Sequence, residues 1–189
     1  RPFVLPKGGD PNIGIDPGVP ISYSTDPSSA FYKEANEVYT TGKALTTEQK
    51  NIALFWADGG GTCTPPGHSM SILCQCFQLQ NSKLDFAVEA YAKMGIGQAD
   101  AFISCWATKY KYNLLRPITY IKKYIDSTFT TEIATPPFPE YTSGHSTQSG
   151  AMSVIMTQVM GSNFTFTDHT HDAESLSSRT YPSFEAAAQ

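Results

Sequence analysis

Trp106-Ala107-Thr108-Lys109-Tyr110-Lys111-Tyr112-Asn113-Leu114-Leu115-Arg116-Pro117 decides how this chain folds. Upstream of it, Leu84, Val88, Tyr91, Ala99, Phe102 and Trp106 recur at helical spacing, which predicts one long helix from about Lys83 to Leu115. Gly95 and Gly97 are expected points of bending or close helix contact. Pro117 disfavours helical geometry at Arg116, so the helix should end near there. Lys109 and Arg116 are seven apart, close to two helical turns, so this reading puts both cations on nearly one face, with Trp106 beside Lys109. Co-facial cations repel, and a shared anion is one reason to place them so; Arg offers a planar fork and Lys a point charge. The plain alternative is a solvated cationic helix end that suits the helix dipole.

Phe138-Pro139-Glu140-Tyr141-Thr142-Ser143-Gly144-His145 shifts the balance. A Ser-Gly pair opening a helix presents free amides and a hydroxyl to an anion, and glycine lets the backbone come close. His145 on the first turn is then placed to act as acid/base or nucleophile. The competing reading is a serine N-cap followed by an incidental histidine.

Outward from these stretches the pattern is helical. A helix is expected from Ser28 to Tyr39, burying Phe31, Ala35 and Val38. Thr46 and Gln49 have capping-box spacing for a second helix, whose apolar face is Ile52, Phe55 and Trp56. Pro65-Pro66-Gly67-His68 leads into a third, with Ile72, Cys76 and Leu79 on one stripe. Ile118–Ile125 is a short helix, and Ser143 to Met160 a longer one that buries Ser149, Met152, Ile155, Met156 and Val159. Gly161 stops it, residues 162–181 are expected to be loop, and a last helix starts after Pro182. Without a strong strand pattern the fold class is all-α: a helical bundle in a single domain over 1–189, with residues 1–27 as an irregular N-terminal arm.

Charged residues make up 16% and the net charge is −4, which argues against broad nucleic-acid binding. No apolar run reaches the length of a membrane span, and the start is not a signal peptide; without an initiator Met, an N-terminal part is expected to be missing. Cys74, Cys76 and Cys105 read as small packed hydrophobes, while a disulfide from Cys63 stays open. Asp168-His169-Thr170-His171-Asp172 lacks a further ligand cluster in sequence and reads as a polar loop rather than a metal site, with His171 or Asp172 able to stand behind an oxyanion pocket. His68 reads as a helix-start residue that could border that pocket.

Lys109-x6-Arg116-Pro117 followed by Ser143-Gly144-His145 resembles the first two motifs of the type 2 phosphatidic acid phosphatase superfamily, which includes the vanadium-dependent haloperoxidases. Trp106-x-x-Lys109 and Phe138-Pro139-x-Tyr141-x-Ser143-Gly144-His145 resemble the soluble bacterial haloperoxidase branch, with Thr142 where that family has Pro. The resemblance implies a bundle incomplete at its C-terminus. It implies vanadate (or, in a phosphatase, no cofactor and phosphate as substrate group) held by Lys109, Arg116, Ser143 and the Gly144 amide, with His145 as acid/base and Trp106 and Phe138 lining the pocket. The family's third motif, Ser-Arg-x5-His, has a tempting start in Ser178-Arg179, but Glu185 stands where its His belongs. That His, which bonds vanadate covalently, is expected beyond Gln189, so no residue here ligates it directly. The implied activity is halide oxidation by hydrogen peroxide; the alternatives are a soluble acid phosphatase working through a phosphohistidine, or a non-catalytic oxyanion binder. The expected partners are halide, peroxide or a phosphomonoester, with homo-oligomerisation or pairing with a missing C-terminal segment open, and a periplasmic or secreted location favoured.

Overall fold

Capping residues set most of the element starts. In the computed structural model, which describes residues 16–189, Ser29 accepts from the Tyr32 amide and opens α1 (Ala30–Lys43). Thr46 and Gln49 exchange both capping-box bonds and open α2 (Thr47–Phe55). Pro residues in the first turn begin α3 (Thr64–Gln80), and α4 (Leu84–Tyr112) follows a tight turn at Asn81. Then come α5 (Pro117–Tyr124) and α6 (Gly144–Met160), the latter capped by Ser143 and ended by Gly161 at φ 98°. A short hairpin, β1 (Phe166–Asp168) and β2 (Arg179–Tyr181), precedes α7 (Phe184–Ala188).

The architecture is helical around one long axis. α4 lies along α6, and α7 closes on α6 from the other side. Gly97 permits the first contact: a Cβ there would lie 2.5 Å from Ile155 Cδ1 on α6. α4 runs unbroken through Gly95 and Gly97. One core joins Ile72, Leu73, Met94, Met152, Met156, Phe166 and Phe184. A second joins Phe31, Ala35, Tyr120, Ile121 and Phe129 beneath α1 and α5. No described helix is long and apolar enough to cross a membrane.

Several expected stripes were mis-phased. Leu84 and Val88 on α4, Leu79 on α3, and Val38 and Ile52 are all exposed. The buried face of α4 instead runs through Ala90, Met94, Gln98, Cys105, Thr108 and Lys109. Half of that face is polar, so apolar periodicity could not find it. Gln98 Nε2 donates to Ser69 Oγ (3.3 Å) and to the Gln148 carbonyl (3.2 Å), and Gln148 Nε2 donates to the Pro65 carbonyl (2.6 Å). These bonds satisfy the two buried amide nitrogens and tie α3, α4 and α6 together.

The 162–181 segment is not all loop. Phe166 pairs with Tyr181, Thr167 with Thr180 and Asp168 with Arg179 in antiparallel register. The alternation Phe164-Thr165-Phe166-Thr167 was the missed signal: it buries Phe166 against Phe184, with ring centroids 5.1 Å apart. All four cysteines are free; Cys76 and Cys105 are buried, whereas Cys74 is exposed rather than packed.

Residues 1–15 of the expected arm lie outside the described residues, and 16–26 carry no helix or strand. Asp16 accepts from Lys111 Nζ (2.6 Å) and from Tyr112 Oη, fixing this segment to the end of α4. Tyr120, fully buried, donates from Oη to the Ser24 carbonyl at 2.8 Å. Tyr120→Phe keeps the ring packing and removes that bond, so it is expected to cost about 1 kcal/mol, read as a shift in denaturation midpoint at unchanged slope.

Candidate active site

Lys109 is on the last turn of α4 and is 1% exposed. A buried ammonium needs partners. Its Nζ donates to the Pro139 carbonyl (2.8 Å) and the Glu140 carbonyl (2.9 Å). The Trp106 ring lies 5.7 Å away and the Phe138 ring 5.0 Å away. Burial lowers the Lys109 pKa below its ordinary 10.5, and the neighbouring Arg116 adds to the lowering.

Arg116 does not share a helix face with Lys109, contrary to the two-turn spacing argument. α4 ends at Tyr112, where Asn113 adopts φ 48° and returns its amide to the Lys109 carbonyl. Arg116 is the N-cap of α5, in extended geometry before Pro117. The end of α4 at Asn113 and the new helix start at Arg116, not helix phase, set the two cations on one cavity. Arg116 Nε donates to the Phe138 carbonyl at 2.7 Å, and its guanidinium lies 4.8 Å from the Phe138 ring. Both cations therefore hold the 138–140 segment through its carbonyls.

That segment leads into α6. Thr142, which stands in place of the family's Pro, exchanges contacts with Cys105 of α4, 3.3 Å from hydroxyl to sulfur. Ser143 Oγ accepts from the Ser146 amide at 3.1 Å, so its own proton is available to a ligand. The amides of Gly144 and His145 make no hydrogen bond among the described residues. A Cβ at position 144 would lie 3.3 Å from the Trp106 ring, a tight contact that glycine avoids. The His145 side chain is exposed.

Trp106, Lys109, Arg116, Phe138, Ser143, Gly144 and His145 all line one cavity of about 530 Å³. Its opposite wall is Ala57–Gly60 and Thr64–Pro66. Glu140, which the sequence reading passed over, lines it too and pairs with Arg116 Nη1 at 2.8 Å. An incoming anion competes with this carboxylate. Glu140→Gln is therefore expected to raise oxyanion affinity, by roughly 1.5- to 5-fold since the pair is partly exposed. Calorimetric titration with orthovanadate or molybdate would read the change, and weaker binding would contradict it.

The histidines are placed differently from the sequence reading. His171 is 1% exposed, so it is a buried residue of the hairpin loop; of the two histidines there His169 is the exposed one, paired with Asp172. His68 is also buried, between Asp58 (2.9 Å) and Asp168 (2.7 Å). Burial opposes charge on His68, but its hydrogen bonds to the Asp168 and Asp58 carboxylates outweigh it and raise its pKa to about 9. Neither ring lines the cavity, although Asp58 does. Arg179 is not part of it either: on β2 it pairs with Glu48 and lies over the Phe55 ring.

Residues 89–131 match the family model described as the VCPO second helical-bundle domain. The solved structure of the first bacterial vanadium-dependent iodoperoxidase resembles this chain with a TM-score of 0.92 and 42% identity. The alignment covers 100% of this chain and 47% of that one, so this chain spans about half the length of that relative. No curated protein sequence matches.

Proposed function

We infer, for a chain that belongs to the vanadium haloperoxidase superfamily, that its cavity holds vanadate and serves the oxidation of halide by hydrogen peroxide. The observation that carries this reading is the convergence of Lys109, Arg116 and the Ser143-Gly144-His145 helix start on one cavity walled by Trp106 and Phe138. The donor set fits a tetrahedral oxyanion: two cations, a hydroxyl and first-turn amides, with a glycine that lets the Trp106 ring pack close beside them.

Vanadate, when bound, supplies the Lewis-acid centre at which peroxide is activated. The residues do the rest. Lys109 Nζ has two of its three protons committed to carbonyls and one left for an oxyanion oxygen. Arg116 offers the guanidinium nitrogens that Glu140 releases. His145, open to solvent on the first turn, exchanges protons with the bound oxygen donor and with water. The aromatic walls exclude water from one side and accommodate a large, polarizable halide. The relative's activity makes iodide the first halide to try. The histidine for covalent attachment has no motif match within residues 1–189.

The test is an assay with iodide, bromide and peroxide after loading with vanadate. Halogenation that depends on vanadate supports the reading, and none above the vanadate-free control overturns it. Phosphomonoester hydrolysis inhibited by vanadate would select an acid phosphatase on the same cradle instead.

A further inference from the structure

Behind the cavity wall, Asp58, His68 and His171 bring three metal-ligating atoms within 4.8 Å of one another, all in buried residues. We propose that these three residues form a second, separate site for a divalent cation of the zinc class, distinct from the oxyanion cradle. His68 Nδ1 lies 2.9 Å from Asp58 Oδ1, and His171 Nε2 lies 2.9 Å from the same oxygen. Tetrahedral zinc with ligand bonds of about 2.0–2.2 Å separates its ligand atoms by roughly 3.3 Å, so the two separations from Asp58 Oδ1 need open only a few tenths of an ångström.

The surroundings match what such a cation requires. The outer nitrogen of His68 is held by Asp168 Oδ2 at 2.7 Å, and the outer nitrogen of His171 faces Glu174 Oε2 at 3.7 Å. On His68 that is the carboxylate–histidine–metal arrangement, and on His171 a carboxylate stands just beyond hydrogen-bond reach. A cluster held by protons alone leaves His171 Nδ1 buried without a hydrogen-bond partner. A cation on Nε2 puts the ring proton on Nδ1, toward Glu174. One dication also balances the buried Asp58 and Asp168 carboxylates. Trp56 stacks on His68 with centroids 4.5 Å apart, and Phe55 stands edge-on to His171 at 5.2 Å, giving an apolar shell. The exposed Cys63 has its sulfur 4.0 Å from Asp58 Oδ1 and marks the side from which a cation and its fourth ligand arrive. The three ligands come from the end of α2, the start of α3 and the hairpin loop. A bound cation staples those segments together and fixes Asp58, which is also part of the cavity wall.

The full chain, stripped with chelator and desalted after incubation with zinc, is expected to retain about one zinc by elemental analysis and to melt at higher temperature than the stripped form. Cobalt(II) in its place is expected to show the visible bands of a four-coordinate site. His171→Gln and His68→Gln should reduce retention to below about a tenth of an equivalent. If either fails to fold by circular dichroism, Asp168→Asn replaces it, with zinc affinity expected to fall by roughly 10- to 100-fold through loss of the orienting carboxylate. Wild-type chain that keeps no zinc and shows no thermal shift overturns the proposal, as does full retention in the folded histidine variants or unchanged affinity in Asp168→Asn.

Discussion

Lys109→Met is expected to weaken oxyanion binding by roughly 10- to 150-fold, because it removes one charge-assisted hydrogen bond of about 1.5–3 kcal/mol. The change reaches further than the anion. Lys109 is also the donor to the Pro139 and Glu140 carbonyls, so its loss frees the segment that precedes Ser143. Methionine keeps the length of the buried stem but cannot donate. Each lost carbonyl bond is of the same charge-assisted class; both carbonyls lie near the cavity, where water can replace the ammonium, so the low end of the range applies. The stability loss should be about 3 kcal/mol. Chemical denaturation measures that term, and titration with orthovanadate measures the other. Unchanged values in both would remove Lys109 from the site. The lowered pKa gives a further check: burial disfavours the ammonium, so charge on Lys109 is lost earlier than for an ordinary lysine as pH rises. Oxyanion affinity in the wild type should fall on the alkaline side before that of Lys109→Arg, whose guanidinium stays charged.

His145→Ala is expected to reduce turnover by about 10²- to 10⁴-fold, the usual contribution of a positioned acid/base, with oxyanion affinity changed far less. The separation follows from the geometry. The anion donors are Lys109, Arg116, Ser143 and the first-turn amides, none of which depends on the imidazole. The ring is exposed and forms no hydrogen bond among the described residues, so alanine, a strong helix former, should leave α6 intact. Steady-state rates in whichever preparation oxidises halide, compared with vanadate titration of the same variant, would read the two effects separately. A rate loss below about tenfold would assign the proton transfer elsewhere.

The helices were legible because their signals are local. The Thr46 capping box, the Pro-led start of α3, Ser143 and Gly161 each act within one turn, and the structure uses all of them. The short hairpin was not, because three paired residues per strand carry too little alternation to compete with a loop. The buried face of α4 was hidden for a different reason: Gln98, Thr108 and Lys109 are buried because partners on α3, α6 and the 138–140 segment satisfy them, and those partners are remote in sequence.

The sequence by itself determined the helical class, the helix starts and the seven residues that converge on the cavity, since each rests on chemistry carried within a few residues. It placed Lys109 and Arg116 on a shared helix face, and that route was wrong, whereas the helix start at Ser143-Gly144-His145 is present. Tertiary structure decided how they meet: the left-handed residue Asn113 ends α4, Arg116 caps a new helix, and the Pro139 and Glu140 carbonyls hold Lys109. It alone also decided the fate of Asp58, His68 and His171. They stand up to 113 residues apart, and only the docking of the hairpin on α2 and α3 makes them neighbours, because burial forces each polar group to find a partner wherever the fold provides one.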